Sequence, residues 1–184
     1  MLWLIRHGET EWSLSGAHTG RTELPLTQAG EDSARAIGRE LAGHRFALVL
    51  TSPLSRAVRT CELAGYGEQA QMDPNLLEWD YGAYEGKTTD QIRASRPGWF
   101  LFRDGVEGGE TIGQVAARAH DVIDRAVKAE GDVALFAHGH ILRILTACWL
   151  GLPPEDGKMF VMGTGAISTL GYEHEARAIL RWNA

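Results

Sequence analysis

Two short apolar runs, each stopped by a His-Gly pair, constrain this chain more than any other feature. Leu2-Trp3-Leu4-Ile5 ends in Arg6-His7-Gly8-Glu9, and Asp132 to Ala137 ends in His138-Gly139-His140. Runs of this length without polar alternation read as strands buried on both faces, as in the middle of a parallel sheet. In open α/β sheets, ligands collect at the carboxyl ends of such strands. Two of them can end side by side, so the repeat predicts His7 and His138 across one crevice. Gly8 lacks a Cβ, which lets backbone and ligand approach closely there. A lone histidine after a strand is most often part of a polar turn; the repetition argues for more.

At 184 residues and 44% hydrophobic composition, the chain is expected to form one domain, 1–184, around a sizeable core. Its formal net charge of -6 argues against a nucleic-acid partner. An anionic substrate must then be drawn by placed arginines rather than by the field of the whole protein. Cys61 and Cys148 sit in helical, partly apolar stretches and read as small core residues of a protein in a reducing compartment. The first strand begins at residue 2 with no charged leader before it, and no apolar run is long enough to span a bilayer. The expectation is a cytoplasmic protein with no membrane partner.

Between the two runs, Glu11 to Leu26 reads as a long loop of the kind that is usually functional or disordered. It leaves the first strand's end and carries Trp12, Ser13, His18, Thr19 and Gly20. Thr27 is an N-cap for a helix to about Gly43, and Phe46 to Leu50 is a second buried strand. Ser52 as N-cap with Pro53 at the first helical position opens a helix to about Ala64. Arg56 in its first turn joins a helix N-terminus suited to anions; the alternative is a solvated surface arginine, which fits Arg59 better. Gln69 to Met72 reads as a short strand. Leu76 to Gly86, dense in aromatics and carboxylates, reads as a structured loop. A carboxylate beside tryptophan there should have a raised pKa and hold a proton near neutrality, with Glu78, Asp80 and Glu85 as candidates.

Further on, Thr88 to Arg103 reads as a short helix, a break at Pro97 and an aromatic cluster of Trp99, Phe100 and Phe102, which either covers the site and shapes specificity or is a plain hydrophobic cap. Thr111 and Gln114 form a capping box for a helix from Ile112 to about Ala129. The helix after Gly139 is apolar nearly all round and so buried. Met159–Met162, Ala166–Tyr172 and Arg177–Trp182 read as three closing β segments. An exposed edge strand near the C-terminus leaves room for a homodimer.

These motifs occur in the order seen in the histidine phosphatase superfamily, also called phosphoglycerate mutase-like, which the chain resembles over essentially its whole length. The matches are Arg6-His-Gly-Glu-Thr10, Ser52-x-x-x-Arg56-Ala57, Glu78-x-x-Tyr81-Gly-x-x-Glu85-Gly86 and the strand followed by His138-Gly139. The resemblance implies a three-layer α/β/α doubly wound, mostly parallel sheet. It implies His7 as a nucleophile that becomes phosphorylated, Arg6 and Arg56 as phosphate clamps, His138 as a donor to a phosphoryl oxygen and Glu78 as the proton donor. Ser13, Thr19, Gly20, Tyr81 and Gly139 fall at phosphate- or substrate-facing positions; Ser13 departs from the family, which more often has Asn there. Three stretches look closest to the branch of sedoheptulose-bisphosphatase-like and broad-range acid sugar-phosphatase proteins. They are Gly16 to Thr27, Leu76 to Gly82, and His138-Gly-His140 with Gly163 to Ser168.

The chemistry expected is hydrolysis of a small phosphorylated metabolite, a sugar phosphate or bisphosphate. Neutral His7 attacks phosphorus, the arginines absorb charge and Glu78 serves as acid and then base, with no cofactor or metal needed. The runner-up is a cofactor-dependent phosphoglycerate mutase. Such enzymes tend to carry an arginine-rich insertion and a C-terminal lid, whereas Thr88 to Arg103 holds only Arg93, Arg96 and Arg103, and the chain ends soon after its last strand. A metal hydrolase built on His7, His138 and His140, and a phosphate-binding module without turnover, are the remaining alternatives.

Overall fold

Val133–Ala137 (β4) is buried at all five positions, and Leu2–Arg6 (β1) lies beside it in parallel with Arg6 paired to Ala137. The computed structural model describes residues 1–184. Its single six-stranded sheet has the order β3-β2-β4-β1-β5-β6, with β2 Leu48–Thr51, β3 Ala70–Met72, β5 Ile167–Glu173 and β6 Ala176–Arg181. The first four strands in that order run parallel; β5 and β6 are antiparallel additions.

Successive side chains of a strand point to opposite faces, and here each face is covered by helices. Val133, Leu135 and Ala137 pack with Leu2 and Leu4 against α6 (Ile112–Val127) and α7 (Gly139–Trp149). Ala134, Phe136 and Ile5 pack on the other face against Ile37 of α2 (Gln28–Glu40) and Cys61 of α3 (Ser55–Leu63). This is the expected three-layer α/β/α arrangement. It explains why β4 carries no alternation, since neither face meets water. The intervening helices are α1 (Glu11–Ser15), α4 (Thr89–Ser95) and α5 (Leu101–Asp104).

Four local expectations need correction. The stretch after β1 is not all loop, because Thr10 and Ser13 form a capping box that starts α1. Ser52 is not an N-cap. Its N–H continues the sheet to Phe136 and its hydroxyl is taken by His138, so the helix starts later, after Leu54. Met159–Met162 forms no strand. Pro153 and Pro154 open a 3₁₀ turn through Met159, Arg143 of α7 holds the carbonyls of Gly157 and Lys158, and the flank of β1 is already taken by β5. Gly8 makes its close approach to the protein itself: a Cβ there would lie 2.4 Å from the Gly30 oxygen of α2.

Candidate active site

Pairing of β1 with β4 sets the two histidines together. The His7 N–H continues the ladder to Ala137, and the rings of His7 and His138 stand 5.1 Å apart. His7 is 5% exposed, and its Nδ1 lies 2.7 Å from the Gly8 carbonyl. A carbonyl only accepts, so Nδ1 carries the proton and Nε2 keeps a free lone pair. Burial, then the charges of Arg6 and Arg56, bring the His7 pKa down to about 3. The imidazole is therefore neutral at any physiological pH.

His138 is fully buried. Arg56 Nε donates to its Nδ1 at 3.2 Å, so Nε2 carries the proton and donates to Ser52 Oγ at 2.7 Å. Both ring nitrogens are thus engaged within the protein, a geometry different from the free phosphoryl donor implied by the resemblance. Ser52, expected to cap a helix, instead orients this ring.

Arg56 is also fully buried, in the first turn of α3. Its other donors hold the carbonyls of Thr22 at 2.9 Å, Thr19 at 3.2 Å and Gly20 at 2.9 Å. The adjacent helix N-terminus is capped by the protein's own anion, Glu23, which accepts from Ser55 N–H. Arg56 thus places charge behind His7 and shapes the loop around the cleft. The Gly20 N–H is aimed away from the cleft, at both oxygens of Glu85 (2.9 and 3.0 Å), and Thr22 N–H reaches the same carboxylate. Glu85, one of three candidate proton donors, is therefore a clamp on this loop.

Glu78 departs most from its expected state. Its oxygens accept from the N–H groups of Trp79 (2.9 Å), His140 (3.0 Å) and Ile141 (3.0 Å), the last two in the first turn of α7. Burial pushes its pKa up, but neighbouring His140 and His138 and those N–H bonds outweigh it and hold Glu78 well below the usual carboxylate range. It is a carboxylate in the free protein, not a stored acid: burial raises its pKa less than its neighbours lower it. Asp80 binds the Gly82 N–H.

The cleft has a volume of about 160 Å³. Arg6, His7 and Glu78 line it together with Thr10, Ser13, Gly16, Ala17, His18, Thr19, Tyr81 and His140. Arg6 Nη1 binds the Met162 carbonyl, while its Nε–H is buried and finds no acceptor in the protein. Ser13 reaches the wall, but its hydroxyl donates to Thr10 O at 2.8 Å. Thr19 donates to Ala17 O. Tyr81, 2% exposed, places its hydroxyl 2.6 Å from His140 Nδ1. Gly139, first residue of α7, lies behind Arg6, where a Cβ would come within 3.3 Å of the guanidinium. Arg56, His138, Gly20 and Gly139 are not on the cleft wall. Larger clefts elsewhere, about 550 Å³ beside Cys61 and about 740 Å³ beside Phe100, contain no histidine.

Buried neutral histidines also set an acid limit on stability. His7 falls to about 3 and His18 to about 4 from 6.5, each first through burial, and His138 also lies well below its ordinary value. The unfolded chain therefore binds more protons than the native one below about pH 6.5, so stability is lost as pH falls through that window. Each such histidine contributes a slope of up to about 1.4 kcal/mol per pH unit. Thermal melts should show Tm falling between pH 6.5 and 4, and replacing His18 with Phe should shallow that fall.

Comparison with known proteins gives a concordant result. The model of the histidine phosphatase superfamily (branch 1) matches residues 2–184. An acid phosphatase of Mycobacterium tuberculosis is 40% identical over 182 residues, spanning 97% of this chain and 89% of that protein. The sedoheptulose 1,7-bisphosphatase of Saccharomyces cerevisiae is 36% identical over 181 residues, spanning 81% of this chain and 67% of that protein. Among solved structures, that of an open reading frame of Mycobacterium tuberculosis superposes with a TM-score of 0.94 at 39% identity, covering 99% of this chain and 96% of that one.

Proposed function

The chain belongs to the histidine phosphatase superfamily, branch 1, and from that membership we propose that it hydrolyses small phosphorylated metabolites, sugar phosphates or bisphosphates, through a phosphohistidine on His7. The observation that carries this reading is the state of His7. Its one proton is held on Nδ1 by the Gly8 carbonyl, leaving Nε2 bare on a ring that lines the cleft with Arg6. The acid phosphatase and bisphosphatase among its relatives support the substrate class.

In the first step the His7 Nε2–P bond forms as the bond from phosphorus to the leaving oxygen breaks. Arg6 meets the phosphoryl oxygens, and its acceptor-free Nε–H supports that assignment. Arg56 and His138 act from behind, one by charge and loop shape, the other by packing on the His7 ring while Ser52 holds its proton. Glu78 delivers a proton to the leaving alkoxide. It then takes one from the water whose oxygen bonds phosphorus as the N–P bond breaks. Since Glu78 is ionised in the free protein, it gains this proton with the substrate; an incoming phosphate dianion raises the pKa of a carboxylate beside it.

We assign the whole activity to one histidine phosphatase domain, residues 1–184, operating in the cytoplasm; two free, buried cysteines fit a reducing compartment. Arg6 on the cleft wall and Arg56 behind His7 furnish the charge that a metal would otherwise supply. A panel of phosphorylated metabolites, assayed for free phosphate with EDTA present and no bisphosphoglycerate primer, should show release from sugar phosphates. Primer-dependent interconversion of 2- and 3-phosphoglycerate with little phosphate released would make it a mutase instead.

A further inference from the structure

The three bonds to Glu78 are unequally shared. Oε1 accepts from both Trp79 and Ile141, whereas Oε2 accepts only from the His140 N–H. A proton on this carboxyl therefore belongs on Oε2. The imidazole Nδ1 of His140 lies 3.8 Å from that oxygen and 2.6 Å from the buried Tyr81 hydroxyl. The ring lines the cleft and is held between Trp79 and Phe102, at 6.3 and 5.5 Å between ring centres.

We infer that His140 is a proton relay acting through Glu78, taking up from solvent the one proton that the leaving alcohol receives. The inference rests on the hydrolase reading above and names the source of the proton that reading requires. The titratable and charged groups facing His140 are Glu78 and Tyr81 from the carboxylate loop, His18 from the loop after α1, Arg6 from β1 and Arg143 from its own helix. Burial keeps His140 below its ordinary pKa against the pull of Glu78. The ring is then neutral and Tyr81 donates to Nδ1. A phosphate dianion entering among Arg6, His18 and His140 favours the charged ring, which takes a proton on Nδ1. That N–H now faces two acceptors, the Tyr81 oxygen and Glu78 Oε2. Across the 3.8 Å to Oε2 it passes through one bridging water, and then on to the leaving oxygen as the P–O bond breaks, returning His140 and Glu78 to their resting charges. During hydrolysis, the water proton taken by Glu78 leaves by the reverse route.

The test compares His140→Asn and His140→Gln with wild type and Glu78→Gln on two esters. One is glucose 6-phosphate, whose alkoxide needs protonation; the other is p-nitrophenyl phosphate, whose leaving phenolate barely does. The expected loss on the alkyl ester exceeds that on the aryl ester by roughly 10–100-fold, with the same selectivity as Glu78→Gln. The alkaline limb of the alkyl-ester profile should also move to lower pH. Equal losses on both esters with an unmoved limb would overturn the relay and leave His140 a wall of the cleft. The glutamine variant keeps a similar shape without a titratable proton and serves if the asparagine variant does not fold. A wild-type protein that releases phosphate from neither ester overturns the hydrolase reading itself, a separate outcome.

Discussion

His7→Ala is expected to lower phosphate release by about 10⁴-fold or more, the scale of loss when a covalent nucleophile is removed. No neighbour can take its place. His138 has both nitrogens engaged, by Arg56 and Ser52, and His18 and His140 stand across the cleft beside Tyr81. The variant should still fold, because the β1–β4 ladder that positions residue 7 uses backbone groups only. It should also resist acid better than wild type. Deleting a histidine held near pKa 3 removes one proton's share of the loss in stability below pH 6.5. Inactivity with unchanged acid sensitivity would mean that the ring is not buried and neutral as described.

Arg56→Met is expected to cost both fold and activity. The guanidinium satisfies the carbonyls of Thr19, Gly20 and Thr22 and the Nδ1 of His138, and it is fully buried. Orphaning a buried acceptor costs about 1–3 kcal/mol, and with two of the four only part-buried the low end applies, about 4 kcal/mol in all. In a chain of this size that lowers Tm by roughly 8–16 °C. Turnover should fall by at least about 10²-fold, since the loop that forms one cleft wall loses its anchor and His138 loses its fixed tautomer. Arg56→Lys should recover little, because an ammonium cannot reach four acceptors spread around a planar fork. A melt within 2 °C of wild type would place Arg56 on the surface, against the burial described.

The parts of this site visible in the sequence were those set by the sheet. An apolar run without alternation must be covered on both faces, and two such runs ending in His-Gly bring His7 and His138 together once the strands pair. Arg6, one residue before His7, follows from the same register. What escaped were states decided by groups distant along the chain. Glu78 looked like a stored acid because Trp79 follows it; it is a carboxylate because the first turn of α7, more than sixty residues away, donates to it. Gly20 sits in a loop resembling a phosphate-contacting one, yet its N–H is turned to Glu85, sixty-five residues on. Ser52 obeyed the local rule for an N-cap and was claimed instead by His138. In each case a long-range hydrogen bond overrode a correct local preference.

Rapid quenching of the wild-type protein with a sugar phosphate, followed by peptide mapping and phosphorus NMR of the trapped species, interrogates the nucleophile directly. The predicted product is acid-labile phosphohistidine on His7, bonded through Nε2, since Nδ1 is tied to the Gly8 carbonyl. Phosphate on His138 or on a serine, or turnover that persists in His7→Ala without any phosphoenzyme, would contradict it.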